Sequence, residues 1–115
     1  MAARKRSMPA SVKIGPFSYG VVSDSDAHLT AEMKHGARLD GRSQANDLTI
    51  HVNPQHAPTY QKSTMIHEIL HQVFVVSGAL LDEEAEERIC RHLEGGLLGV
   101  FQDNPDLVGW LAARD

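Results

Sequence analysis

The sequence predicts an α+β domain: a small three-stranded sheet, antiparallel or mixed, then two long helices and a short C-terminal one. Two observations carry this. As far as residue 53 apolar residues alternate with polar ones, and beyond residue 56 they recur at three- and four-residue spacing. Gly, Pro, Asn and Asp punctuate the chain where the period changes.

Residues 1–11 read as a flexible tail and 12–115 as one domain. Val12, Ile14, Phe17, Tyr19, Val21 and Val22 give a strand, a turn or bulge at Gly15-Pro16, and a second short strand, or else one bent strand. Ser23–Asp26 is a polar turn. Met33, His35 and Ala37 alternate with Lys34, Gly36 and Arg38, which favours a strand over 33–39, and Asp40-Gly41-Arg42-Ser43 signals a turn. Leu48, Ile50 and Val52 mark a strand over 47–53, stopped at Asn53-Pro54.

The first helix opens near Pro58, carries Met65, Ile66, Ile69, Leu70, Val73 and Phe74, and stops at Ser77-Gly78. Asp82 is suited to cap a second helix bearing Ile89, Cys90, Leu93, Leu97, Val100 and Phe101. Asn104-Pro105 ends it and starts a short third helix with Leu107, Val108, Trp110 and Leu111.

A chain of 115 residues supports one modest core. Its 42% hydrophobic and 23% charged residues are ordinary globular usage. A formal charge of −4 argues against a nucleic-acid partner, which would call for a basic surplus. Cys90 has no second cysteine to pair with, as in a reducing compartment. The basic start Arg4-Lys5-Arg6 leads into no apolar run, and no stretch approaches the roughly 20 apolar residues of a membrane span. The expectation is a cytoplasmic protein with no membrane partner.

The chemistry lies in His67-Glu68-Ile69-Leu70-His71, an HExxH pattern inside the best-defined helix. Side chains four apart on a helix stand one above the other, so His67 and His71 can reach one metal ion. Glu68, beside the first histidine, is placed to take a proton from a metal-bound water. Seven histidines raise the rate at which such a pattern arises by accident. An accident has no reason, however, to fall in mid-helix with a carboxylate-rich helix behind it.

A catalytic zinc usually has three protein ligands and an open position for water. The metzincin continuation, with Gly and His after the motif, fails because Phe74 and Ser77 stand there. Glu83, Glu84, Glu86 and Glu87 are the alternative source. Glu86 falls near the middle of the stripe made by Ile89, Cys90, Leu93, Leu97 and Val100, with Glu83 toward one edge, Glu87 further off and Glu84 pointing nearly away. A carboxylate centred on an apolar stripe is costly unless bound or paired, so Glu86 is the expected third ligand. The plainer account, a helix N-terminus attracting acids, suits Glu83 and Glu84 but not Glu86. Gly95-Gly96, costing about 1 kcal/mol each against alanine, make sense if this helix packs closely on the HExxH helix.

The alternating strand at 48–52, the Met65–His71 helix, and Glu83–Glu87 running into Leu93–Leu97 and Asp103-Asn104-Pro105 together resemble the small phage-type and ImmA/IrrE-like zinc metallopeptidases. The resemblance spans roughly residues 12–110, with HExxH its one specific motif. It implies a minimal zincin-like (gluzincin) fold, an edge strand that aligns a peptide or protein substrate, and a glutamate ligand from the helix after HExxH. It also implies Zn2+ as cofactor and, by extension, a regulatory protease of a phage or mobile element. Hydrolysis would use zinc-activated water with Glu68 as general base, and Tyr60, His51, His56 and His92 are candidate oxyanion donors. His28 and His35 read as surface residues. Two rivals remain: a catalytically inactive zinc-binding module, and a metal-free interaction protein. No residue pattern specifies an oligomeric state.

Overall fold

Ser11–Ile14 (β1) and Phe17–Val22 (β2) form an antiparallel hairpin in which Ile14 faces Phe17. Its two-residue loop has Gly15 at φ 58, followed by Pro16, whose ring holds φ negative. A positive then a negative φ matches a type II′ turn, which wants glycine first. A Cβ at Gly15 would also come within 2.5 Å of Val76 Cγ1, so the turn packs directly on a helix.

The computed structural model describes residues 7–23, 41–44 and 47–114. Gly41–Gln44 (β3) and Thr49–Val52 (β4) complete a four-stranded mixed sheet of order β1-β2-β4-β3. β2 and β4 are parallel, and β3 and β4 antiparallel. Among the described residues the sheet thus has four strands where three are expected. Gly15-Pro16 breaks the first apolar run into two strands, and Gly41-Arg42-Ser43, expected as a turn, pairs with β4 through Gln44. Backbone pairing to a neighbouring strand overrides the turn preference of Gly and Ser. The strand expected at 33–39 lies outside the described residues. At the other end the packed chain begins inside the expected tail: Met8 lies against the core, and Ala10 O accepts from Val21 N at 2.9 Å.

Pro58–Ser77 (α1) begins with proline at its first position, where no amide hydrogen is needed. The Gln61 side chain donates to the carbonyls of Asn53, Pro54 and His56, tying the preceding loop to the first turn. Gly78 ends the helix in the left-handed conformation, φ 72, and the amides of Gly78 and Ala79 return to Val75 O and Phe74 O. Glu83–Asp103 (α2) is capped by Asp82, whose carboxylate accepts from Ala85 N at 2.7 Å. Pro105–Ala112 (α3) follows at once.

The core is small: Ile14, Tyr19, Ile50 and Val52 from the sheet, flanked by Met8, Val12, Leu48, Met65, Ile69 and Val76. Met65, Ile69, Gln72 and Val76 share one face of α1, and Tyr19 donates its hydroxyl to Gln72 Oε1 at 2.9 Å across that seam. His67 and His71 lie on the opposite face, against which α2 packs. α1 is therefore the middle layer, turning one side to the sheet and the other to α2. No helix among the described residues is long and apolar enough to cross a membrane.

Gly95 and Gly96 do not serve the close packing expected of them. Both are exposed, and a Cβ at either would meet nothing within 4 Å.

Candidate metal centre

The i, i+4 spacing on α1 sets His67 and His71 side by side, ring centroids 4.8 Å apart and planes inclined at 68°. Their Nε2 atoms face each other at 3.1 Å. Glu87 of α2 closes the triangle, with Oε2 at 2.8 Å from His71 Nε2 and Oε1 at 3.0 Å from His67 Nε2. These three side chains lie close enough together to bind one metal ion.

The distances test the fit. Metal–donor bonds of about 2.0–2.2 Å in a tetrahedral zinc site place neighbouring donors about 3.3–3.5 Å apart. The three edges found here fall just short of that, so a small outward movement of the side chains admits the ion. Two imidazoles and one carboxylate are a donor set suited to zinc. Glu87 is the most open of the three, its side chain 40% exposed, which leaves one side of the triangle facing solvent.

The third carboxylate differs from the one expected. Glu86 lies on the outer nitrogen of His71, Oε2 to Nδ1 at 3.0 Å, and Glu87 holds the inner position. The cause is rotational. The expected stripe runs through Leu93 and Val100, and the structure leaves both exposed. The face of α2 turned to α1 carries Glu86, Cys90 and Glu94, with Cys90 fully buried. That shifts the inward direction toward Glu87, about 100° round the helix from Glu86. Glu83 and Glu84 are exposed in the first turn, as their dipole reading requires.

Glu68 is buried at 7% exposure yet is not among the three converging side chains. Its charge acts on His71. Burial alone would lower the His71 pKa, but hydrogen bonds to Glu86 and Glu87 and the charges of Glu68 and Glu87 outweigh it, so the value is raised. At Glu87 burial pulls upward, and the bonds and charges of His71 and His67 carry the pKa below the ordinary carboxylate value. Arg91 Nε also approaches Glu87 Oε1, at 3.3 Å from an exposed side chain. Burial, reinforced by Glu86, Glu87, Glu68 and Glu94, pushes the Cys90 thiol up to about 12. Cys90 therefore stays protonated at neutral pH and is a packing residue beneath the site.

Family models, curated proteins and solved structures were all compared with this chain. None matches. The centre stands on its own geometry.

Glu94 escaped the sequence reading. Its Oε2 lies 3.1 Å from His67 Nδ1. Its eight-residue spacing from Glu86, two helical turns with Cys90 midway, was the available signal. Of the candidate oxyanion donors, Tyr60 lies seven residues before His67 on the same helical face, half exposed and in edge contact with His56. His92 is exposed on α2, and His51 is on β4.

Proposed function

We propose that this chain is a zinc-dependent hydrolase of peptide bonds, with His67, His71 and Glu87 holding the metal and Glu68 moving the proton. The observation that carries the reading is the convergence of two HExxH imidazoles and one helix-borne carboxylate on a single point, with a further carboxylate buried beside them. A structural site has no use for that fourth group, and a metal-free protein has no reason to aim two Nε2 atoms at each other.

When bound, the metal supplies Lewis acidity to a carbonyl and lowers the pKa of the attacking water. The protein's own residues do the rest. His67 and His71, fixed one turn apart on a helix wedged between sheet and α2, hold the metal position against the sheet-backed scaffold. Glu68 takes the proton of the attacking water at its carboxylate and delivers it to the departing nitrogen. The partly exposed side of the triangle is where an extended peptide enters. β1 and β3, the edge strands among the described residues, are the pairing surfaces offered to such a chain.

Elemental analysis of purified protein tests the reading, alongside cleavage of an unfolded protein substrate. We expect one zinc per chain in the wild type and in Glu68→Gln, with hydrolysis falling at least about 1,000-fold in the latter. Equal hydrolysis by both would remove Glu68 from its role. A wild type that takes up no zinc on reconstitution would overturn the metal centre.

A further inference from the structure

The outer nitrogens of the two histidines are both engaged, each by a different carboxylate of the same helix. His71 Nδ1 faces Glu86 Oε2 at 3.0 Å, and His67 Nδ1 faces Glu94 Oε2 at 3.1 Å. All four side chains are mostly buried, the most open being Glu94 at 28%. The geometry points to Glu86 and Glu94 as a pair of positioning residues that orient His67 and His71 for the metal, a role resting on the metal-centre reading above.

A neutral imidazole carries one N–H and one lone pair. A carboxylate at Nδ1 accepts that N–H, so the lone pair is left on Nε2, the atom that faces the centre in both rings. The same bond stops each ring from turning about its own axis and makes its Nε2 a better donor. Glu86 and Glu94 cannot themselves be inner ligands in this arrangement, because each meets its histidine from the far side.

The spacing on α2 explains why one helix can do this. Glu86, Cys90 and Glu94 follow one another at four-residue steps, a stripe about 12 Å long that drifts only slowly round the helix. α1 runs the other way, so the first of these glutamates meets the later histidine and the last meets the earlier one. Cys90, uncharged and fully buried, spaces the two. Glu87 projects from beside this stripe to the inner nitrogens. α2 thus contributes one ligand and both orienting groups.

The test compares zinc affinity, by competition with a chromogenic chelator, in wild type, Glu87→Ala, Glu86→Ala, Glu94→Ala and Glu94→Gln. Melting of each metal-free form is followed in parallel. We expect Glu94→Ala and Glu86→Ala still to bind one zinc at saturation, but about 10–100-fold more weakly. Glu94→Gln should lose less, because its amide oxygen still accepts from Nδ1–H. In zinc-loaded wild type, nitrogen-detected spectra should show both rings as the Nδ1–H tautomer, and Glu94→Ala should release the His67 Nδ1 proton to fast exchange.

Wild-type affinity and tautomers in Glu94→Ala, with zinc lost in Glu87→Ala, would overturn the positioning role and leave the metal centre standing. A wild type that binds no zinc would overturn both. Should Glu94→Ala fail to fold without metal, Glu86→Ala decides at the other histidine: unchanged affinity and an unchanged His71 Nδ1 proton overturn the role, and a measurable loss of both supports it.

Discussion

Around His71, burial works against the charged form while the carboxylates of Glu86, Glu87 and Glu68 hold it, and the carboxylates win. A raised histidine value means that the stabilisation it provides is complete below its unfolded pKa of 6.5 and disappears as pH rises through the folded value. Glu87 behaves oppositely. Its depressed value contributes stability above the ordinary 4.5, lost as pH falls through the folded value. Metal-free protein should therefore gain most from this pair between pH 4.5 and 6.5. Because an ion held by His71 would displace that proton, zinc affinity should rise with pH through that residue's titration. Thermal melts and chelator competition across pH check both trends, and a pH-independent affinity would place the proton elsewhere. His67, Glu68 and His71 were legible in the sequence because contiguous helical spacing fixes their relation before any tertiary packing is known. Glu87 was not. Choosing between Glu86 and Glu87 needs the rotation of α2, and the large apolar residues that ordinarily reveal it, Leu93 and Val100, are exposed here. Carboxylates and a cysteine occupy the inward face in their place.

The helices illustrate how local signals succeed where the tertiary context is quiet. Asp82 as cap, Gly78 as stop, and Pro58 and Pro105 as openers all hold, because each acts within one turn of the residue that needs it. Gly41-Arg42-Ser43 misleads because β4 offers a pairing partner that the local pattern does not reveal. Gly95 and Gly96 mislead differently, their apparent packing purpose having no neighbour to serve. Both sit in α2 with open space where a side chain would go, so alanine costs nothing sterically and gains helix propensity. Gly95→Ala and Gly96→Ala should each raise stability by up to about 1 kcal/mol in denaturant melts, without altering zinc affinity. Destabilisation by either would mean that α2 is approached closely on that face.

Considered whole, the molecule has its apolar residues unevenly spent. The sheet and α1 enclose the core, while Val100, Phe101, Leu107, Val108 and Leu111 remain exposed, as does Trp110 at 74%. That residue is the only tryptophan, so its fluorescence reports this face alone. We expect the emission of a hydrated indole, readily quenched by acrylamide and unmoved by zinc; a shielded indole would mean the face is covered. The α+β class and the order of helices were legible from the change of period near residue 56, whereas the parallel β2–β4 pairing joins strands distant in sequence and leaves no local trace. That contrast bears on how the protein assembles. Every side chain of the centre, from His67 to Glu94, belongs to two consecutive helices joined by one short turn, while the sheet must bring together strands far apart in sequence. The two helices therefore gather their donors early, and an ion captured at that stage would act as a nucleus on whose surface the strands later condense.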